Sequence, residues 1–198
     1  MTETNFDFNQ VDPQRSFEVV PENTIVELQL KIHPGGAGDD GWLKRAADGK
    51  SEGLACECTV VDAEYAKKKL KLWLTLTLRG TTPGHAEAGE ISMRTLRAIL
   101  ESAKGIRPDD NSEAAQNARK PASWADFDGL RFLARLGVRP PEKGYPAKNT
   151  IIEVITPDKQ KWKQPEQISA KTSSAAAPSA PAATPPANAI KRPEWMRS

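Results

Sequence analysis

Eight cations and two tryptophans are the residues here with the most obvious chemistry. In KKKLKLWLTLTLRG, Lys67 to Gly80, successive side chains of an extended chain point to opposite sides. Leu70, Leu72, Leu74, Leu76 and Leu78 then share one face, and Lys69, Lys71, Trp73, Thr75, Thr77 and Arg79 share the other. A helix would scatter the leucines around its axis, so the period of two selects a strand. The leucine face is core. The other is a solvated, basic face with one large ring. Such faces are common in one-sided antiparallel sheets. They are also what a phosphate backbone and an unpaired base require: cations to follow the phosphates and an indole to stack on. Lys31, Arg131 and Arg135, read from two other strands, join the same candidate face. Trp42, Lys44 and Arg45 lie in a glycine-rich loop, His33 to Gly53, that would sit beside it.

Other constellations are weaker. Cys56 and Cys58 are two apart in LACECTVVD, so both belong on the core side with Leu54 and Val60. With His33 and His85 they could supply four metal ligands, but the spacing fits no usual zinc pattern. Two cysteines suit a reducing compartment rather than a disulfide framework. Asp39/Asp40, Asp109/Asp110 and Asp126/Asp128 could be imagined as nuclease acids, yet each pair lies where aspartate serves turns. The stretch from Gly36 through Gly38 to Gly41 matches G-x-G-x-x-G without the strand and helix that give that motif meaning. No Ser/His/Asp or Cys/His set stands out. The sequence therefore predicts no enzyme, no metal and no cofactor.

The elements that must position these residues follow from periodicity. Val26, Leu28, Leu30 and Ile32 make the inner face of a strand over Thr24–Ile32. Leu54–Asp62 forms a hairpin with the lysine-rich strand. SMRTLRAILESA, Ser92–Ala103, has helical spacing and Ser92 as cap, and a short helix capped by Asn111 or Ser112 follows. Leu130–Val138 and NTIIEVITP close the list. Five strands with a helix between the third and fourth predict a mainly β chain, a five-stranded OB-like Greek-key barrel. The fallback is a sheet with a packed helix.

Of 198 residues with net charge +2, the stretch 169–198 carries four cations against one carboxylate, leaving residues 1–168 at −1. Bulk charge thus cannot drive tight non-specific binding, and any nucleic-acid site is a local patch. Residues 1–168 are predicted to fold, with Phe6, Phe8 and Phe17 pinning an N-terminal arm. Residues 169–189 read as an Ala/Pro/Ser-rich flexible linker, and 190–198 as a terminal peptide with Trp195 and Met196 as anchors for a partner. The polar opening MTETNFDFNQ lacks the apolar run of a signal peptide, and no run approaches spanning length, which predicts a cytoplasmic protein without membrane contact.

NFDFNQVDPQRSFEVVPENT, CTVVDAEYAKKKLKLWLTL, EISMRTLRAILESAKGI and DFDGLRFLARLGV resemble segments of a family of uncharacterised proteins encoded by tailed phages and prophages, near replication and recombination genes. The resemblance covers most of residues 1–156 and implies an OB-like module that binds single-stranded DNA in the host cytoplasm. It carries no catalytic residue across. Single-stranded DNA is the expected partner. A replication or recombination protein held by the C-terminal peptide is the alternative, and self-association through a sheet edge is an open option.

Overall fold

The computed structural model describes residues 19–62, 64–66, 70–142 and 144–166. Phe6, Phe8, Phe17, Lys69, Trp195, Met196, the linker and the terminal peptide lie outside the described residues.

The chain is mainly β. Its strands are β1 (Ile25–His33), β2 (Lys44–Arg45), β3 (Ser51–Val60), β4 (Lys71–Gly80), β5 (Arg131–Arg139) and β6 (Lys148–Ile155). Helices α1 (Pro83–Lys104) and α2 (Glu113–Ala118) lie between β4 and β5, followed by a short 3-10 turn at Trp124–Phe127. All strand pairs are antiparallel, in the order β4-β3-β1-β5-β6, with β2 extending the β1 side of β3. The return of β5 to lie beside β1 is a Greek key. β4 and β6, the two end strands, face one another without a hydrogen-bonded ladder between them among the described residues. The architecture is that of the OB type: five long strands, a helix between the third and fourth, and a barrel left partly open.

The period-two reading places the core correctly. Val26, Leu28, Leu30, Leu54, Cys56 and Cys58 are fully buried, and Leu72 and Leu76 nearly so. Each buried aliphatic side chain contributes about 1.5–3 kcal/mol relative to exposure, so this face outweighs any surface contact in specifying the sheet. β1 runs one residue past the expected end and takes in His33. β3 begins earlier than expected, at Ser51, because β2 and the far end of β4 pair with its first residues.

Three expectations change. The helix starts at Pro83, not near Ser92. Thr82 is its cap, its Oγ1 accepting from the His85 backbone N–H, and proline is tolerated at the first turn, where no intrahelical partner exists. Gly89 then sits inside the helix because a Cβ there would stand 2.8 Å from the Leu78 carbonyl oxygen. Its absence lets α1 lie close on β4. The second correction concerns β5. Strict alternation along Leu130–Val138 turns Leu133 outward with Arg131 and Arg135, but it is fully buried, and its backbone N–H donates to Ser102 Oγ of α1 at 3.1 Å. The third is β2, a two-residue strand inside the loop read as irregular.

Before β1, Val20 is pinned to β6. Asn149, itself buried, accepts from the Val20 N–H at 2.8 Å and donates to the Val20 carbonyl at 2.8 Å. No helix among the described residues is long and apolar enough to cross a membrane.

Candidate nucleic-acid interface

Residues directly opposite across a ladder point to the same side of the sheet. Register therefore fixes the outer face of β1, β3 and β4. Lys31, Glu57 and Trp73 form one row across the three strands. Gln29, Thr59 and Lys71 form the next, and His33, Ala55 and Thr75 the one beyond. Trp73 is 67% exposed, the centre of an open surface rather than a core residue. The His33 ring lies against it, centroids 5.2 Å apart and tilted by 32°. The imidazole thus supports one side of the indole and leaves the rest for solvent or a ligand.

Glu57 draws side chains of the neighbouring rows toward it. Lys71 Nζ is 2.8 Å from Glu57 Oε1, and His33 Nε2 is 3.6 Å from Oε2. The Lys71 ammonium, helped by His33 and Lys31, holds the Glu57 carboxyl below its ordinary value. A second cluster lies further along β4. Glu52 stands opposite both Arg45 and Arg79. It accepts from Arg45 Nε at 3.0 Å and from Arg79 Nε at 2.7 Å. The two guanidinium groups likewise hold its carboxyl below the usual range. This cluster lines a 380 Å³ cleft with Lys50 and Thr81. Lys44 pairs with Gly53 and is exposed beside it.

The expected face is therefore not one surface. Lys31, Lys71 and Trp73 come together, and Arg79 and Arg45 gather six residues down β4, about 20 Å away, while Lys44, next to Arg45 on β2, points to the other side. Arg131 and Arg135 do not join the open part. Arg131 Nη1 lies 3.5 Å from Glu27 Oε1 with both side chains mostly covered, and Arg135 pairs with Glu153. Trp42 is half-buried against the core rather than presented for stacking, with its backbone N–H donating to Asp40 Oδ1.

Sequence reasoning missed His33 and Glu57 as members of the site. Glu57 was readable, since it alternates out of the Cys56/Cys58 face, but its pairing with Lys71 depends on register. Arg139 and Lys148 were also missed. They line a 520 Å³ groove between β4 and β6, together with Lys71, Trp73, Leu70, Leu72, Leu74 and Ile151. β4 contributes residues of both faces to this groove, so the strand meets it edge-on.

The candidates for covalent or metal chemistry have other duties. Asp128 Oδ1 accepts the Ile32 N–H, Asp126 completes a capping box with Ser123, Asp110 accepts the Ser112 N–H and Asp109 pairs with Arg107. Burial pushes the Cys56 and Cys58 thiols up to about 12, so they stay protonated at neutral pH. Among the described residues no group of three or more His, Cys, Asp or Glu comes together to hold a metal.

No protein-family model matches the chain. No curated protein matches it either. The resemblance to phage proteins thus has no counterpart in these comparisons. Among solved structures, the chain is similar to one titled "Yeast RPA bound to ssDNA", with a TM-score of 0.26 and 11% identity over 74% of this chain and 83% of that one. An overlay that loose carries no argument, and the OB-type assignment rests on strand order and helix placement alone.

Proposed function

We propose that this protein binds single-stranded DNA on the outer face of β1, β3 and β4, with little sequence preference. The observation that carries this reading is Trp73: a two-thirds exposed indole, backed by His33 and flanked by Lys31 and Lys71, at the middle of an open sheet face. In OB folds that bind oligonucleotides, the face of the second and third strands and the adjoining loops are the binding surface, and β3 and β4 are those strands here. Stacking one base on an aromatic ring contributes about 1–3 kcal/mol and accepts any base. The cations add a salt-dependent, sequence-blind part. The Asp and Cys residues engaged in turns and core favour a non-enzymatic role. The four segments that resemble phage proteins support a place in phage DNA replication or recombination.

Titration of a labelled oligothymidine at low and moderate salt, followed by fluorescence anisotropy, tests the reading. Trp73→Ala and Lys71→Glu weaken binding while circular dichroism stays unchanged, and melting falls only slightly for Lys71→Glu, which loses the ion pair with Glu57. Absence of binding by the native protein at low salt overturns it, and a partner captured through Trp195 and Met196 then becomes the reading to pursue.

A further inference from the structure

We propose that the bound strand leaves Trp73 over the free edge of β4 and runs into the groove between β4 and β6, where Arg139 and Lys148 hold its phosphates. This rests on the single-strand reading above and adds the path. Two routes lead away from the indole. Along β4, the next cations are Arg79 and Arg45, both already hydrogen-bonded to Glu52. A phosphate there must displace a carboxylate from each guanidinium. Over the edge of β4, the groove presents Lys71, Arg139 and Lys148, and its lining contains no aspartate or glutamate. Lys71 is already held by Glu57, but Arg139 and Lys148 beside an apolar floor of Leu72, Leu74 and Ile151 attract a polyanion more strongly than the compensated cleft does.

The register supplies a second argument. Arg139 stands directly opposite Lys148 in the last rung of the β5–β6 hairpin. Like charges in that position destabilise a ladder. The same hairpin shows the alternative, since Arg135 is opposite Glu153 and paired with it. Neither Arg139 nor Lys148 has an ion-pair partner among the described residues. Local choices that oppose stability are where binding sites are expected. An adjoining 180 Å³ hollow shares both cations and adds Glu142 and Tyr145, whose ring is 75% exposed. The strand's next base has a ring to meet there.

The test is the salt dependence of oligothymidine binding in the native protein, Arg139→Gln/Lys148→Gln, Arg45→Gln/Arg79→Gln and Trp73→Ala. Each phosphate neutralised on a single strand contributes about 0.7 to the slope of log affinity against log salt, so loss of both groove cations lowers that slope by about 1.4. The cleft variant changes it less. Removing a like-charge pair leaves the melting temperature unchanged or raised, and Lys148→Gln alone gives about half the slope change, which guards against a misfolded double variant. If Trp73→Ala weakens binding while the groove variant keeps the native slope and affinity, the path is wrong and the single-strand reading stands. If the native protein binds no oligothymidine, both fall. If poly-glutamate binds through Arg139 and Lys148 and oligothymidine does not displace it, the groove serves an acidic protein segment and the proposal is overturned.

Discussion

Two carboxylates, Glu101 on α1 and Glu57 on β3, are each gripped by neighbouring cationic or imidazole groups, and they do opposite things. Glu101 Oε1 accepts from Arg97 Nε and Arg119 Nε, both at 2.8 Å. Its side chain is 4% exposed and that of Arg119 is 13% exposed. Arg119 also donates to the carbonyl oxygens of Asp110 and Arg107, so one ion pair ties α1, the following loop and the end of α2 together. Glu57 holds Lys71, but the Lys71 side chain is 58% exposed and reaches its partner from open water. The pairs look alike in sequence. What separates them is the burial of the cation. A buried cation has no other counter-charge within reach, whereas an exposed one exchanges its carboxylate for water or phosphate at little cost.

The largest expected effect falls on the buried side. Glu101→Ala strands Arg119 without its counter-charge, a change that costs about 3 kcal/mol of stability. Urea unfolding measures it. Oligothymidine affinity per folded molecule stays native, because α1 and α2 lie outside the proposed surface. A loss no larger than that of a Glu57 variant would erase the contrast between the two pairs. Trp73→Ala comes next and has the reverse signature. Binding falls by about 1–3 kcal/mol, and stability moves by no more than about 0.5 kcal/mol, as for other exposed positions.

The same contrast explains what the sequence could reveal. Alternation places Cys56, Cys58 and the leucines of β4 inside, because burial of one face is a local property of a strand. It also puts Trp73 outside. The fate of the outward cations is not local. Arg131 finds Glu27 and Arg135 finds Glu153 only once β1, β5 and β6 are in register, and a bulge between Arg135 and Leu136 shifts that register. Arg139 meets Lys148 for the same reason. The early start of α1 was hidden by Pro83, Gly84 and Gly89, residues that normally break helices. Here Pro83 uses the first turn, and Gly89 gives β4 room, which only the packed structure explains.

The smallest effects belong to Glu57 and give the contrast its finest test. Glu57→Gln removes the charge that occupies Lys71, so oligothymidine binds a few-fold more tightly, opposite in sign to Trp73→Ala and to the loss of the groove cations. Acid does the same to the native protein. The Glu57 carboxyl titrates below its ordinary value of 4.5 because Lys71, then His33 and Lys31, favour the ionised form. A depressed value means that the ion pair adds stability above pH 4.5 and loses it as pH falls through the lowered value. Stability from this pair and competition for Lys71 therefore vanish together. Below pH 4.5 the fold weakens slightly while strand binding strengthens. Thymine carries no acid-titrating nitrogen, so the probe adds no charge of its own. A His33→Gln background takes the imidazole beside Glu57 out of the comparison. In that background the native Glu57 protein gains affinity on acidification and the Glu57→Gln protein does not. Equal gains in both would assign the effect to carboxylates elsewhere and leave Lys71 unconstrained by its neighbour.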